Sequence, residues 1–282
     1  MVYCDMIRNK IGILYVCTGE YNIFWEDFYK SFEEKFCTNS DKIYMVFTDA
    51  NSIAYEEMTN VIKIYQDCLG WPYDTLMRYS MFEKIKDIIG KCEYVFFFNA
   101  NMICNLAVYE EDILPRRSKG ESLSVVLHPG YGGKKARFCP LERNKKSLAY
   151  IPYNCNAKYV CGGVNGGESQ AYIELIEELN RRINIDLDNA IVARVHDESH
   201  LNKYIYGRQG VRYLGPEFCN PDDLTLMVEK KIRLLDKNKY LNINKLKNIK
   251  NENFFQKWRR RFAKYSVCEI GYLKDVFMRK RL

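Results

Sequence analysis

The segment Tyr94–Phe98 reads YVFFF and runs directly into Asn99–Ala100–Asn101. Five consecutive apolar residues leave no polar face, so a strand here must be covered on both sides. Similar short apolar runs recur at Lys10–Gly19 (KIGILYVCTG), Ile43–Thr48 (IYMVFT), Val61–Tyr65, Leu123–Leu127, Tyr159–Cys161 and Ala190–Val195. Segments with helical spacing lie between them: Tyr21–Phe36, Pro72–Ile89 with proline in its first turn, Glu168–Ile185, and one opened by HDESHLNKY. This alternation predicts an α/β chain on a mostly parallel sheet. Ligands bind beyond the C-terminal ends of such strands. Three polar clusters are expected at those ends: Asn99–Asn101, His128–Gly130 and His196–Ser199.

The chain has 282 residues, 47% hydrophobic and 28% charged, which suits a globular body with a full core. No run of about 18 apolar residues occurs. The opening MVYCDMIRNK is too polar for a signal peptide, so a cytoplasmic protein is expected. Eleven cysteines without a Cys-x-x-Cys argue against a disulfide framework or a thiolate zinc site. Charge is uneven: residues 228–282 carry 17 Lys+Arg against 5 Asp+Glu, and residues 1–227 carry 26 against 31. A mildly acidic body therefore precedes a strongly basic end, where an anionic partner should bind. After residue 227 the sequence shows no strand pattern.

Each polar cluster has a plain reading beside its chemical one. Asn99 and Asn101 end an apolar strand, and in extended chain they point the same way, about 7 Å apart. Many nucleotide-sugar enzymes place Asp-x-Asp at such a point to hold a divalent metal. Neutral amides are weak ligands for a hard cation, and Asn-x-Asn is also an ordinary turn. In HDESHLNKY, His196 and His200 have zinc-helix spacing, but Asp197 stands where a zinc protease has Glu, and the one other histidine is His128. Three ionisable groups at a helix start suggest a sugar or proton-transfer site, or a helix cap with solvated neighbours. CGGVNGG lets a ligand approach the backbone, or simply makes a tight connection to the next helix. It has neither the P-loop nor the dinucleotide pattern.

Taken in order, LYVCTGEY, VFTD, GWPYDTLMR, FFFNAN, HPGY, ERNKKSLAYIP, YVCGGVNGG, ARVHDESHLNKY, GPE and DKNK resemble glycosyltransferase family 6. That family includes the histo-blood-group A and B transferases and the α-1,3-galactosyltransferase. The resemblance covers roughly residues 10–240. Asn-x-Asn in place of Asp-x-Asp is similar to its bacterial, metal-independent branch. It implies a GT-A, Rossmann-like domain over residues 1–240, leaving 241–282 as a basic, mainly helical extension. It also implies transfer of Gal or GalNAc from UDP to O3 of a β-galactoside, fucosylated or not, with retention at the anomeric carbon.

The resemblance further implies roles by motif position. Cys17, Thr18 and Tyr21 would line the uridine site. Trp71, Thr75 and Arg78 would lie near nucleotide and donor sugar. Asn99 and Asn101, with Ala100 between them, replace the metal-binding aspartates, so no cofactor is expected. Cys161, Gly162 and Gly163 would select the donor, and His128 would touch the acceptor. Asp197 would hold the donor sugar. Glu198 would be the nucleophile or would position the acceptor, and Lys237 would close over the diphosphate. Arg78, Lys237 and tail cations would replace the metal's charge. Gly162–Gly163 leaves room at the sugar's C2 substituent, which favours UDP-GalNAc over UDP-Gal. Val195 stands where mammalian members have Trp beside the acceptor, so acceptor choice departs from theirs.

FFQKWRRRFAKY mixes aromatics with cations and offers a peripheral contact with an anionic inner-membrane surface, or is a solvated basic helix. Rival readings are a non-catalytic glycan- or UDP-sugar-binding protein on a degenerate transferase fold, and a zinc hydrolase using His196 and His200. No motif supports nucleic-acid binding.

Overall fold

The computed structural model describes residues 8–246, 268–273 and 275. Among them the strands are β1 (Lys10–Val16), β2 (Asp41–Thr48), β3 (Val61–Tyr65), β4 (Tyr94–Phe98), β5 (Met102–Cys104), β6 (Leu123–Leu127), β7 (Val160–Glu168), β8 (Val211–Leu214), β9 (Asn220–Pro221) and β10 (Ile232–Leu234). The helices used below are α1 (Trp25–Lys35), α2 (Tyr73–Leu76), α3 (Arg78–Glu83), α4 (Lys86–Ile89), α5 (Glu110–Ile113), α6 (Ser169–Asp188) and α7 (His196–Ile205).

Seven strands form one sheet in the order β3-β2-β1-β4-β7-β6-β8. The β3-β2-β1-β4 half is parallel, which is the arrangement of a nucleotide-binding half-domain. β6 and β8 are parallel to each other, and β7 runs antiparallel to both β4 and β6. The mostly parallel, Rossmann-like α/β architecture expected from the sequence is present. A second sheet has the order β5-β10-β9.

The continuous apolar character of YVFFF has the expected cause. Tyr94, Phe96 and Phe98 join a core with Ile13 and Tyr15 of β1 and Phe28 and Phe32 of α1. Val95 and Phe97 face the opposite core, with Leu14, Phe82 of α3 and Ile176 of α6. All five residues are buried, so both faces of β4 are covered. Eight of the ten described cysteines are buried and none is bridged, in keeping with small apolar residues.

Several local expectations are corrected. The strand at Tyr159–Cys161 does not stop at the glycines; Val160–Glu168 is one strand of nine residues. Its glycines answer to crowding: a Cβ on Gly166 would lie 2.4 Å from Phe96 Cδ1 and 2.4 Å from the Val95 carbonyl oxygen. Ala190–Val195 is a turn-rich connection, not a strand. The end of α6 claims its backbone, with Ala190 N–H donating to Leu187 O and Ile191 N–H to Asp186 O. The cluster His196–Ser199 therefore follows a loop. Pro72–Ile89 breaks into α2, α3 and α4, because Met77 and Ile85 leave helical geometry. Tyr21–Phe36 begins as a 3-10 turn over Gly19–Phe24 before α1. The region after residue 227 does hold a strand, β10, whose three residues with Arg233 at the centre are too short to show a period.

Of the basic extension, Ile243–Leu246 and residues 268–273 are helical. FFQKWRRRFAKY lies outside the described residues. No described helix is long and apolar enough to cross a membrane.

Replacing Gly166 by Ala drives a methyl into the β4 backbone. Overpacking of this kind costs about 1–3 kcal/mol. Urea unfolding of Gly166→Ala beside wild type should show that loss, and an unchanged midpoint would contradict the crowding argument.

Candidate active site

The parallel strands β1, β4 and β6 end on one edge of the sheet. Because β7 is antiparallel, it begins there: Phe98 pairs with Val164, and Leu127 with Val160. Topology therefore gathers Cys17–Thr18, Asn99–Asn101, His128 and Cys161–Gly163 onto that edge. A cleft of about 230 Å³ opens beside it. Nine expected residues line it: Thr18, Tyr21, Trp71, Thr75, Arg78, Asn99, Ala100, Asn101 and Lys237. Asp74, not singled out from sequence, lines it too and accepts hydrogen bonds from Leu69 N–H at 2.7 Å and Thr18 Oγ1 at 3.4 Å. Cys17 is buried beneath the cleft, and burial pushes its thiol up to about 12, so it stays neutral. Cys161, Gly162, Gly163, His128, Asp197 and Glu198 lie outside the cleft wall.

The Asn-Ala-Asn turn is fixed from several sides. Asn99 N–H donates to Gly163 O at 2.9 Å, and the Tyr15 hydroxyl donates to Ala100 O at 2.9 Å. Asn101 Nδ2 donates to Leu235 O at 2.6 Å, while Leu235 N–H donates back to Asn101 O at 2.8 Å. This paired contact anchors the chain just ahead of Lys237, whose ammonium lies 5.7 Å from the Tyr21 ring.

Behind the cleft, Arg78 and Asp197 form a buried ion pair with Nη1 to Oδ2 at 2.8 Å. Nη1 also donates to Gly162 O at 3.2 Å, and the guanidinium stacks 4.0 Å from the Phe97 ring centre. Arg78 Nε has no partner among the described residues. Burial pushes the Asp197 carboxyl above its ordinary range, and Arg78 pulls it back.

Glu198 sits one residue on, in the first turn of α7, where the helix N-terminus favours a carboxylate. Its Oε2 accepts Gly162 N–H at 2.7 Å, and its Oε1 accepts the Tyr159 hydroxyl. Burial is the main reason its pKa rises to about 7; the Tyr159 and Gly162 hydrogen bonds hold it down. Asn202, one turn further along α7, clamps β7 by accepting Val160 N–H at 3.0 Å and donating to Val160 O at 2.9 Å. A Cβ on Gly162 would lie 3.1 Å from Glu198 Cβ, so the glycine is what allows this approach. Tyr159 and Asn202 were not picked out from sequence. Their partners lie about forty positions away, and no local pattern announces them.

The histidines divide. His128 Nδ1 accepts Gly130 N–H at 3.0 Å, and burial lowers its pKa to about 4, so the ring is neutral. It packs against Tyr131 at 5.0 Å and Tyr159 at 5.5 Å. His196 meets Trp71 edge-on at 4.6 Å, which ties the start of α7 to the cleft wall. His200 faces Asp186 instead, with Nε2 to Oδ2 at 3.6 Å. The pair is not a zinc helix, and no described group of three His, Cys, Asp or Glu residues has a metal-holding arrangement.

The profile of Glycosyltransferase family 6 matches residues 3–248. The chain belongs to glycosyltransferase family 6. It is 39% identical over 198 residues to the O-antigen biosynthesis glycosyltransferase WbnI of Escherichia coli, across 70% of this chain and 82% of that protein. It is 26% identical over 218 residues to Histo-blood group ABO system transferase 1 of Rattus norvegicus, across 75% and 61% of the two chains. With Globoside alpha-1,3-N-acetylgalactosaminyltransferase 1 of Homo sapiens the identity is 25% over 227 residues, across 77% and 62%. The chain thus spans about three fifths of the length of these two animal relatives. A family 6 glycosyltransferase needs room for a nucleotide sugar and a glycan. The cleft lies on one side of the Arg78–Gly162 contact, and Glu198, with the buried Tyr159 and His128, lies on the other.

Removing Asp197 leaves the Arg78 guanidinium buried without its carboxylate. Breaking a buried pair in this way costs about 3–5 kcal/mol. Asp197→Ala should lose that much in urea unfolding, and a loss below about 1 kcal/mol would show that the pair is not desolvated as described.

Proposed function

We propose that this chain is a retaining α-1,3-glycosyltransferase moving GalNAc, ahead of Gal, from UDP to O3 of a β-galactoside, with or without fucose, and using no divalent metal. The observation that carries the reading is Glu198, held by Gly162 N–H and Tyr159 beside a cleft that Arg78 and Lys237 line.

The donor diphosphate would lie over Thr18, Asn99 and Arg78, with Lys237 reaching across. As the bond from the anomeric carbon to the β-phosphate oxygen breaks, negative charge grows on UDP. Lys237 and Arg78 stabilise it. The acceptor O3 forms its bond on the same face, and its proton passes to the departing phosphate oxygen. Both Glu198 oxygens already accept hydrogen bonds, which lowers their nucleophilicity. That supports a role in orienting the acceptor hydroxyl and stabilising the cationic sugar over one in covalent attack. Ionised Glu198 is the active form.

Metal independence is supported by the donor set. Asn101 spends its N–H on Leu235 O, Asn99 is neutral, and among the described residues Asp74 is the one carboxylate lining the cleft. That set does not fit a hard divalent cation, which favours several charged oxygens. Preference for GalNAc draws on Gly163. A Cβ there would lie 2.8 Å from Asn99 Nδ2, so the glycine keeps that amide at the donor edge, where it can pair with an acetamido group. The N-acetylgalactosaminyl transfer named for the Homo sapiens and Mus musculus relatives agrees with this donor.

Turnover of UDP-GalNAc with a β-galactoside should persist in excess EDTA and exceed that of UDP-Gal at equal concentration. Loss in EDTA, or faster use of UDP-Gal, would overturn the respective claim. Absence of any sugar release would favour a non-catalytic binder. Glu198→Gln should lower kcat by ~10²–10⁴-fold with UDP affinity retained. In wild type kcat should rise with pH through about 7 as Glu198 ionises. Tyr159→Phe removes a donor that holds that pKa down, so the rising limb should move to higher pH. A limb that stays put or moves down would uncouple Glu198 from the rate.

A further inference from the structure

Beyond the His128 loop lies a second concavity of about 530 Å³, formed by residues 132–137 and 153–158 with Tyr272. Lys134, Lys135, Arg137 and Lys158 line it, and among the described residues no carboxylate does. Arg137 is paired, through Nε to Glu269 at 3.2 Å. Lys134, Lys135 and Lys158 are exposed and have no carboxylate partner among the described residues. Two of them are steadied by rings: Lys134 lies 4.8 Å from the Tyr131 centroid and Lys158 4.4 Å from that of Tyr213. The wall is anchored rather than loose, since Asp275 accepts Tyr153 N–H at 2.6 Å.

The groove adjoins the proposed acceptor region through the His128 loop, where Gly132 N–H donates to His128 O at 2.6 Å. The Tyr159 hydroxyl bonds Glu198, the Tyr159 and Tyr131 rings meet at 5.6 Å, and Tyr131 carries Lys134 on its face. A glycan whose reacting sugar rests at Glu198 would extend over the half-buried His128 and Tyr131, with Tyr159 buried beneath them, into the basic concavity. Three uncompensated ammonium groups around one hollow repel one another, and an anion placed between them relieves that repulsion. Lysine binds phosphate-like groups as a point charge. The volume is that of an ordinary ligand site.

We infer that this groove binds an anionic group carried by the acceptor beyond the sugar that reacts. The inference rests on the transferase reading above. The anion has two chemical sources, a phosphate or diphosphate ester at the reducing end or an acidic sugar within the glycan, and both present the same charge to the lysines.

The test uses the full chain and one β-galactoside oligosaccharide in three forms: a neutral alkyl glycoside, the alkyl diphosphate ester, and a form containing glucuronic acid. With donor saturating, wild type should use one anionic form with kcat/KM about tenfold above the neutral form. The form preferred identifies the source. In K134Q/K135Q/K158Q the preference should fall to within about twofold while kcat/KM for the neutral form is kept. Equal use of all three forms, or a preference that survives the substitutions, overturns the inference. Equilibrium binding of the two anionic forms, with UDP filling the cleft, gives a readout independent of turnover. The preferred form should bind about tenfold more weakly to the triple variant, and its affinity for wild type should fall as NaCl is raised. Unchanged affinity removes the groove. Intact groove binding without turnover removes the transferase reading instead.

Discussion

The whole site depends on one reversed strand. β7 enters a sheet of otherwise parallel neighbours between β4 and β6, so its first residues meet the last residues of both. A parallel strand at this place would bring its C-terminal end to the edge, and Gly162 would lie at the far side of the sheet. The reversal has a steric condition. β4 presents Phe96 and the Val95 carbonyl to a strand that must also pack beneath α6, and at position 166 a glycine is what fits. The same freedom from side chains lets Glu198 approach within hydrogen-bond distance of the Gly162 N–H. Fold requirement and site requirement thus fall on one glycine-rich segment.

Charge in the site is organised in depth. Arg78 lines the cleft, but Asp197 at 2.8 Å neutralises much of its field from behind. A buried ion pair contributes little net stability after desolvation, though leaving one partner alone is costly. Its value here is geometric: the pair holds α3, the Gly162 carbonyl and the start of α7 in one register. Lys237 also lines the cleft, so on the proposed reading the balance of positive charge over the donor diphosphate falls on the segment following β10. The excess of basic residues toward the chain's end fits that distribution, since that is where charge must be added to a mildly acidic body.

Much of this architecture was legible because it is local. YVFFF declares a strand buried on both faces, and the helices within Tyr21–Phe36 and Glu168–Ile185 follow from apolar spacing, Glu168–Ile185 most closely. The misreadings share a physical origin. GGVNGG looks like a connection because glycine has low strand propensity in isolation; it is a strand paired with β4 and β6, where Phe96, seventy positions before Gly166, leaves no room for a side chain. Ala190–Val195 has strand-like residues, but the end of α6 takes its backbone bonds first. Of the expected site residues, Thr18 and Asn99–Asn101 after β1 and β4 and Thr75 and Arg78 on α2–α3 line the cleft, whereas His128 and Cys161–Gly163 at neighbouring strand ends do not. The ledge of Tyr159 and the clamp of Asn202 were invisible, because each is defined by a partner on another element.

On the proposed reading, the amide at position 101 ties metal use to fold through the exchange of a carboxylate oxygen for an NH2 group. A carboxylate there would have no N–H to give, and an oxygen 2.6 Å from the Leu235 carbonyl would repel it. The amide instead donates to that carbonyl while its own backbone oxygen accepts Leu235 N–H, so the segment leading to Lys237 is held at two points. A site organised around a divalent cation could not use this contact, because its carboxylates would be committed to the metal. On the proposed reading, loss of the acidic pair and recruitment of a lysine are one change. The residue that no longer binds a cation from solution now positions a cation belonging to the chain. Such a cation is covalently tethered, needs no supply, and cannot be removed by a chelator. Its strength as a substitute rests on how well Leu235 is fixed, which makes the hydrogen bonds of Asn101 part of the electrostatics of the cleft.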